Sequence, residues 1–453
     1  MAERPIRTIR PAAADPARLV AWQVLRAVSA DDAYGNLVLP RKLADAGLSG
    51  RDAALATELS YGTLRARGTL DEILRRCATR DLDDTEPAVL DLLRLGAYQL
   101  LKTRIPTHAA VATTVELAKT TGNARAAGFV NAILRKVGAR DFDSWCELIA
   151  AGGSELGTLA LRYSHPGWVV GAFAQVLPAE QLEAALAADD ARPETHLVAW
   201  PGRSTAAELA QQSGGEAGPY SPFAVRLSHG GDPGSLAAVR DHEAGVQDEG
   251  SQLCALALTR ITPIKGAEKW LDLCAGPGGK AALLAALAEQ HGARLTANEL
   301  HQHRAELVAR ATAGWPVTVH TGDARQLTGH FDRILLDAPC SGLGALRRRP
   351  EARWRRGPGD LAGLVELQAQ LLHAAAGLLA PGGVLGYVTC SPHPAETRDR
   401  VQAVLAAHPE LSLLDARAAF AGVDQLDGTD TVQLWPHRHG TDAMFFAALG
   451  KRA

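Results

Sequence analysis

Cysteine is scarce in this chain of 453 residues, and its distribution excludes two classes of protein. The six cysteines are scattered and none forms a Cys-x-x-Cys pair, which argues against a disulfide framework and against a structural zinc site. Long apolar stretches are also missing, because no uncharged run reaches the roughly 18 residues that a membrane-spanning helix needs. The N-terminal residues contain no apolar core of a secretory signal. We therefore expect a cytoplasmic protein that binds neither a membrane nor a metal.

A strong excess of either charge is absent as well, since the net charge is −3, and the chain as a whole does not indicate nucleic-acid binding. One segment, "LRRRPEARWRR" at Leu346–Arg356, nevertheless contains six arginines. Such charges repel one another unless solvent or an anion screens them. A solvated loop and a phosphate-contacting loop both fit, and the position shortly after "DAPCSG" favours phosphates. The predicted contacts are Arg347, Arg348, Arg349, Arg353, Arg355 and Arg356.

The periodicity of apolar residues divides the chain into three predicted domains. Spacings of three and four over residues 16–140 predict an all-α domain of about five to seven helices. The next segment mixes two predicted helices with the short strands "THLVAW" and "FAVRLS", and predicts a small α/β module. From residue 246 onwards, short apolar runs alternate with helical stretches, which predicts a mostly parallel sheet with helices on both faces. The predicted domains are 1–141, 142–245 and 246–453.

A glycine-rich loop follows the first strand of the predicted parallel sheet, in "LDLCAGPGGKAALLAALAEQHG". A phosphate-binding Walker A loop would need glycine at Cys274 and serine or threonine at Ala281. The dinucleotide pattern G-x-G-x-x-G would need a glycine at Ala281. Of the ligands that bind such a turn, the nucleoside of S-adenosylmethionine remains. The predicted cofactor loop is Cys274, Ala275, Gly276, Pro277, Gly278, Gly279 and Lys280.

Three acids follow the next three predicted strands. Glu299 could bind ribose hydroxyls, Asp323 could accept a hydrogen bond from the adenine amino group, and Asp337 ends the fourth strand. A single acid at a strand end is as often a helix cap or a turn residue. Three such acids facing one crevice favour a cofactor site, where they would also offset the field of a helix N-terminus around a cationic sulfonium.

Two cysteines end neighbouring predicted strands, Cys340 in "LLDAPCSGLG" and Cys390 in "YVTCSPHPAET". A free cysteine is usually a small buried hydrophobe, and we interpret the other four in that way. A methyltransferase needs a thiolate when it acts on a pyrimidine carbon, because addition of sulfur to carbon 6 makes carbon 5 nucleophilic. Nearby arginines could stabilise the thiolate, and Asp337 could hold the ring nitrogen of the base as charge develops there.

These motifs resemble a known family. "DLCAGPGGK", "DAPCSGLGALRRRPEARW" and "VTCSPHPAE" are similar to the signatures of RNA 5-methylcytosine methyltransferases, and the likeness covers residues 246–453. The segments "LLRLGAYQLL" and "AGFVNAILRKV" resemble the NusB fold, which binds RNA. Together they resemble bacterial small-subunit ribosomal RNA methyltransferases of the RsmB/Sun/Fmu type. The resemblance implies a NusB-like N-terminal domain and a Rossmann-like class I methyltransferase domain, with the middle module between them.

The resemblance also assigns roles that spacing alone leaves open. In the RNA enzymes the nucleophile lies in the Thr-Cys motif, here Cys390, whereas Cys340 in the Pro-Cys motif helps to resolve the adduct. In DNA cytosine methyltransferases the Pro-Cys cysteine is the nucleophile, which would exchange the two roles. Pro339 would shape the base pocket. The cofactor loop with Glu299, Asp323 and Asp337 would bind S-adenosylmethionine.

The resulting hypothesis is a monomeric, S-adenosylmethionine-dependent methyltransferase that makes 5-methylcytosine in 16S ribosomal RNA. The helical domain and the arginine segment would hold the surrounding RNA. Transfer RNA is an alternative substrate, because the catalytic motifs do not specify the RNA. A non-catalytic RNA-binding assembly or antitermination factor is a second alternative, although the intact motifs argue against it. A small-molecule or protein methyltransferase would not need two cysteines at strand ends.

Overall fold

Residues 14–79, 81–228 and 232–453 are described by the computed structural model, and they fall into two units. The first unit contains the described chain up to Val170 together with Arg348–Arg355, and the second contains Gly171–Arg347 and Arg356–Ala453. The helices, in chain order, are α1 Pro16–Ala30, α2 Gly35–Asp45, α3 Gly50–Cys77, α4 Pro87–Lys102, α5 Thr107–Thr120, α6 Ala127–Val137, α7 Phe142–Ala150, α8 Glu155–Arg162, α9 Gly167–Ala174, α10 Ala179–Asp190, α11 Ala206–Ser213, α12 Ala237–Arg240, α13 Glu249–Arg260, α14 Gly279–Gln290, α15 Gln302–Ala311, α16 Ala352–Arg355, α17 Pro358–Leu378, α18 Arg398–Ala407 and α19 Pro436–His439.

All strands of the described residues belong to the second unit. They are β1 Thr195–Ala199, β2 Glu216–Ala217, β3 Ala224–Leu227, β4 Ala244–Val246, β5 Lys269–Asp272, β6 Arg294–Glu299, β7 Val317–Thr321, β8 Phe331–Asp337, β9 Leu379–Thr389, β10 Leu411–Leu414, β11 Val432–Gln433 and β12 Phe445–Lys451. Residues 142–245, predicted as one module, are divided between the two units at Val170. Within the described residues, no helix is both long and apolar enough to cross a membrane.

The first unit is all-α, which confirms the fold class predicted for the N-terminal region. Helix α1 begins where the sequence supplies a cap, because the Asp15 side chain accepts from the Arg18 N–H at 2.9 Å and Pro16 occupies the first turn. Its buried face packs against α3 and α4. A buried ion pair joins those two helices, since the Arg94 guanidinium donates to both oxygens of Asp71 at 2.7 and 2.8 Å.

Part of the arginine-rich segment is placed in the first unit, and the surroundings of its arginines correct the predicted phosphate contact for some of them. We call Arg348–Arg355 the anchor segment. Arg353 is 0% exposed and donates to the carbonyl of Ser164 at 3.1 Å. Arg355 pairs with Asp32 at 2.9 Å, although that carboxylate is itself exposed. Burial and intramolecular partners therefore remove Arg353, and largely Arg355, from the predicted phosphate contacts.

Two further contacts pack Glu351 and Trp354 of the anchor segment against helices of the first unit. The Glu351 carboxylate is buried and accepts a hydrogen bond from the Gly35 N–H at 3.1 Å. The ring of Trp354 lies over Gly68, where an added Cβ would be 2.2 Å from a ring carbon. Only glycine on α3 leaves room for the tryptophan.

The second unit contains the predicted α/β fold with a mostly parallel sheet. Its main sheet has the order β10-β12-β9-β8-β5-β6-β7, with β11 paired to β12. The pairs among β5, β6, β7, β8 and β9 are parallel, whereas β12 runs antiparallel to β9. Both faces are covered, because Leu335 of β8 packs in one apolar cluster while Ile334 and Leu336 pack in another. A smaller antiparallel sheet, β2-β3-β1-β4, contains both strands predicted in the middle segment.

The parallel strands direct their carboxyl ends to one edge of the main sheet. Asp272 ends β5, Glu299 ends β6, Asp337 ends β8 and Cys390 follows β9. The order of connection reverses at β5, since the next strand in the chain lies on one side of it and β8 lies on the other. Open α/β sheets bind ligands outside the carboxyl ends of the strands at such a reversal. The fold therefore places these side chains where a ligand site is expected.

Candidate active site

The glycine loop connects β5 to α14 through a turn that requires glycine. Gly278 has a φ of 102°, in the left-handed region. A Cβ at this position would be 2.7 Å from the Cβ of Ala311 and 3.0 Å from the Cα of Val308. The Ala275 N–H donates to the Asn298 carbonyl at 2.8 Å and fixes the loop against the end of β6. The loop is thus held close to the neighbouring strand and opens onto the N-terminus of α14.

Lys280, the last residue of the predicted cofactor loop, forms an ion pair with Asp337. The Nζ atom lies 2.8 Å from Oδ2 of Asp337, and the lysine side chain is 10% exposed. Burial opposes the ammonium charge, but the neighbouring carboxylate outweighs it and raises the pKa of Lys280. The charge of Lys280 is therefore committed to a carboxylate at the end of β8.

Asp272 is a buried acid at this edge that the sequence analysis did not select. Its side chain is 0% exposed, and neither oxygen has a side-chain hydrogen-bond donor, although an interaction with the Cys274 N–H partly stabilises the carboxylate. Burial raises the pKa of Asp272 to about 7, and repulsion from Asp337 adds to the effect. The signal was present in the sequence, because Asp272 is the acid of "LDLCAGPGGK".

The amide of Gln247 is a second buried polar group without a partner. It is 7% exposed, and neither its nitrogen nor its oxygen is hydrogen-bonded. A Cβ at Gly279 would lie 3.8 Å from the Gln247 nitrogen, so the amide is adjacent to the start of α14. Buried polar groups are rarely left unsatisfied in the absence of a ligand. Gln247 and Asp272, together with the glycine loop, therefore fit a polar ligand such as S-adenosylmethionine.

The two remaining predicted cofactor acids differ in their surroundings. Glu299 is 5% exposed and accepts from the His301 N–H at 3.1 Å. Asp323, after β7, is bound by Arg325, whose Nη2 lies 2.6 Å from the carboxylate. This hydrogen bond lowers the pKa of Asp323 to about 2. The Asp323 carboxylate is therefore already hydrogen-bonded to Arg325 and has fewer free lone pairs for a cofactor.

Cys340 and Cys390 are brought together at the same edge. Their sulfur atoms are 3.4 Å apart, and both residues are partly exposed free cysteines. The hydrogen bond with Cys390 raises the pKa of Cys340, and burial raises it further. The raised pKa favours the protonated thiol at Cys340. Pro339 beside it is exposed, and its carbonyl accepts from the Gln368 amide at 2.9 Å.

The structure also corrects the predicted phosphate contact of Arg347. It is 6% exposed, and its guanidinium lies 2.7 Å from Asp442 and 3.2 Å from Asp248. Both acids belong to the second unit, so the arginine fixes the chain after "DAPCSG" and does not face a phosphate. Arg349 and Arg356 are exposed, and Arg348 is partly exposed.

Other features of the described chain lie apart from this edge. Two surface cavities of about 400 and 420 Å³ are lined by residues around Tyr220 and Phe223 and contain none of the predicted site residues. Within the described ranges, no group of three or more histidine, cysteine or acidic side chains is arranged to hold a metal.

Comparisons with known proteins follow the same division of the chain. The family model for 16S rRNA methyltransferase RsmB/F matches residues 260–450, and the model for the NusB family matches residues 15–139. Rv1407 of Mycobacterium tuberculosis, whose name describes a methyltransferase without a substrate, is 56% identical and covers 96% of each chain. Ribosomal RNA small subunit methyltransferase B of Salmonella agona is 34% identical over 96% of this chain and 98% of its own.

Solved structures share the fold at lower sequence identity. The crystal structure of PH0851 covers 98% of this chain and 99% of its own, with a TM-score of 0.80 and 21% identity. The structure of NSun6 from Pyrococcus horikoshii with SFG covers 64% of this chain and 98% of its own, with a TM-score of 0.53 and 18% identity.

Proposed function

This chain belongs to the RsmB/F family of 16S rRNA methyltransferases, and from that premise we propose that it methylates carbon 5 of a cytosine in small-subunit ribosomal RNA through a covalent cysteine adduct. The 3.4 Å contact between the Cys340 and Cys390 sulfurs, beside the Lys280–Asp337 pair, carries this proposal. Methyl transfer to oxygen or nitrogen needs no thiolate, whereas carbon 5 of cytosine is not nucleophilic until sulfur adds to carbon 6.

S-adenosylmethionine is the proposed cofactor and would supply the methyl group. The unsatisfied Asp272 and Gln247 side chains and the glycine loop are the structural features that support it. Cys274 to Lys280, Glu299 and Asp323 are the residues proposed to hold the cofactor. The NSun6 structure contains SFG, an analogue of S-adenosylmethionine, and this ligand further supports the proposed cofactor.

Cys390 is the proposed nucleophile. Its thiolate would add to carbon 6 of the base, and the electron pair of the broken double bond would move towards carbon 5 and the ring nitrogen. Asp337 would hold that nitrogen through a proton that the Lys280 ammonium supplies to the carboxylate, and this proton would offset the developing negative charge. The Lys280 ammonium also interacts electrostatically with Cys390 and is therefore the cation proposed to lie beside the nucleophile.

Cys340 is the proposed partner in release of the product. After carbon 5 has gained the methyl group, a water molecule would take the carbon 5 proton, and the electron pair of that carbon–hydrogen bond would re-form the carbon 5–carbon 6 double bond as the carbon–sulfur bond to Cys390 breaks. A second sulfur that retains its proton and lies 3.4 Å from the nucleophile is positioned to exchange a proton with the departing thiolate.

The proposed RNA must present an unpaired cytosine, or one flipped out of its stack, because the base has to reach Cys390. The NusB-family match supports a role of the helical unit in holding RNA. Of the six arginines first predicted as phosphate contacts, Arg349 and Arg356 keep that proposed role through their exposure.

Covalent trapping tests the proposed function. Small-subunit ribosomal RNA fragments that contain 5-fluorocytidine cannot lose their carbon 5 substituent after methylation, so the wild-type protein and S-adenosylmethionine should give an adduct that survives denaturing electrophoresis. An adduct on transfer RNA but not on ribosomal RNA would contradict the proposed substrate. Absence of both adduct and methyl transfer on either RNA would favour the non-catalytic RNA-binding alternative.

The exposed arginines give a second expected result. Combined Arg349→Ala and Arg356→Ala substitutions should weaken RNA binding and reduce the slope of log K against log salt by about 1.4, since each phosphate contact to a single strand contributes about 0.7. The measurement is a salt titration of RNA affinity by fluorescence anisotropy. An unchanged slope would remove both residues from the RNA interface.

Two matched arginine variants complete that experiment. Arg452 is exposed just after β12, whose antiparallel pairing with β9 puts it at the opposite edge of the sheet from Cys390, so Arg452→Ala should leave the slope unchanged. Arg347→Met should instead lower the free energy of unfolding by about 3 kcal/mol, because it leaves buried carboxylates without their guanidinium.

A further inference from the structure

Glu396 is a buried carboxylate that the proposed mechanism does not use. It lies six positions after Cys390, in a short turn before α18, and is 0% exposed. Burying a charged carboxylate is unfavourable unless hydrogen bonds replace the lost water. The number and origin of those hydrogen bonds indicate what the residue does.

The Glu396 carboxylate joins the two cysteine-bearing loops through their serines. Ser341 follows Cys340, and both its N–H and its hydroxyl donate to the carboxylate, the N–H at 2.8 Å. Ser391 follows Cys390, and its hydroxyl donates to the same carboxylate at 2.6 Å. The hydroxyls of Ser341 and Ser391 also contact each other at 3.1 Å. One side chain is therefore bonded to the residue immediately after each cysteine.

The carboxylate itself is held by the sheet and by α17. Gln368 of α17 donates to one Glu396 oxygen at 3.1 Å and to the Pro339 carbonyl at 2.9 Å. The hydroxyl of Tyr387, a residue of β9, donates to the Glu396 carbonyl at 2.7 Å. These partners are themselves buried, so the position of Glu396 is fixed by groups that do not exchange with solvent.

We infer that Glu396 is a positioning residue that sets the distance and orientation between Cys340 and Cys390, and so keeps their two roles in the reaction separate. The inference rests on the proposed function and deepens it. The mechanism requires one sulfur as nucleophile and the other as proton carrier, at a separation that allows the proton to pass. The hydrogen bonds of Glu396 go to the serines and not to the sulfurs, so the serines transmit its position.

The chemistry of the four donors explains why an acid is required. A carboxylate accepts from the Ser341 N–H, from two hydroxyls and from an amide without offering a donor of its own. A glutamine would turn an N–H₂ group towards some of these hydrogens, so the hydroxyls would have to rotate and the loops to shift. The negative charge also contributes to the raised pKa of Cys340, after the hydrogen bond with Cys390 and burial.

The test compares Glu396→Gln with Asp399→Asn, which removes an exposed carboxylate on the neighbouring helix α18. For Glu396→Gln, kcat for ribosomal RNA should fall about 100-fold, the loss that a small displacement of reacting groups causes, while KM for S-adenosylmethionine stays within about threefold. The pH profile of Cys340 alkylation, measured in a Cys390→Ala background, should move to lower pH when Glu396→Gln is added. Asp399→Asn should change neither kcat nor the pH profile of Cys340 alkylation.

Each outcome has a stated meaning. If Glu396→Gln retains wild-type kcat and an unchanged alkylation profile, the positioning role is excluded. If Glu396→Gln does not fold, Ser341→Ala and Ser391→Ala test the positioning role instead, because each variant removes one hydroxyl and keeps the Glu396 carboxylate. Both should lower kcat without lowering the melting temperature by more than a few degrees, and wild-type kcat in both would overturn the inference. Wild-type protein that forms no 5-fluorocytidine adduct would instead reject the proposed function itself.

Discussion

Cys390→Ala is expected to abolish methyl transfer, with a loss on the order of 10⁴-fold or more, and to form no 5-fluorocytidine adduct. Removing a covalent nucleophile leaves no alternative route of comparable rate, because carbon 5 of cytosine does not attack a methyl donor unaided. Single-turnover transfer of a radiolabelled methyl group and denaturing electrophoresis of the trapped complex measure the two effects. The binding of S-adenosylmethionine should be unchanged, which separates loss of chemistry from loss of the cofactor.

Cys340→Ala is the informative partner of that variant. It should still form the adduct but release methylated RNA slowly. Covalent protein–RNA complex should therefore accumulate even with RNA that contains ordinary cytidine in place of 5-fluorocytidine. Cys254→Ala provides the control, since that thiol is 0% exposed in the apolar core and takes no part in the proposed reaction. If Cys340→Ala alone abolishes the adduct, the roles of the two cysteines are the reverse of those proposed here.

Asp337→Asn is expected to have the second largest effect, about 10³-fold on kcat, because it removes the group proposed to hold the ring nitrogen. It should also lower the free energy of unfolding by about 3 kcal/mol, since Lys280 would remain buried without its carboxylate. Methyl transfer and urea unfolding measure the two effects separately.

Removing both members of the ion pair distinguishes the two effects of Asp337→Asn. The double variant Lys280→Met with Asp337→Leu should recover most of the stability, because no buried charge is left unpaired, while activity stays lost. Recovery of activity together with stability would show that the pair only stabilises the fold, and would exclude Asp337 from the reaction.

Local periodicity was sufficient to predict most strands of the second unit. The apolar runs of β5, β6, β8 and β9 are buried on both faces, and such runs stand out in the sequence. Four strands were not predicted, β2 and β4 of the smaller sheet and β10 and β11 of the main sheet. β10 has four residues and β11 has two, and both depend on pairing with β12, which follows them in the chain. Their conformation is set by tertiary pairing and not by local pattern.

The candidate site could be predicted where a residue type has few structural uses, and less well where it has many. Two cysteines at strand ends are unusual, so Cys340 and Cys390 were selected, and the structure brings them into contact. Acids near turns are common caps, so Asp272 and Glu396 were passed over although both lie in motifs that had been selected. Their importance follows from burial, which sequence proximity does not reveal.

The arginine-rich segment shows the opposite failure. A run of positive charge suggested solvent or phosphate, yet Arg353 donates to carbonyls of residues about 190 positions earlier in the chain. No local property of the sequence encodes such a distant partner. The acid and the tryptophan within the run, Glu351 and Trp354, were the available signals, because Glu351 is buried and the Trp354 ring packs over Gly68.

The anchor segment also determines how this polypeptide can be divided. Because Arg348–Arg355 belongs to the first unit while the chain on either side belongs to the second, the backbone crosses between the units three times. A single cut after Val170 would therefore produce an N-terminal fragment without Glu351 and Trp354, and would leave the Gly35 N–H and the space over Gly68 unfilled. Truncation, circular permutation and fragment complementation must therefore each keep that octapeptide with the helices of the first unit.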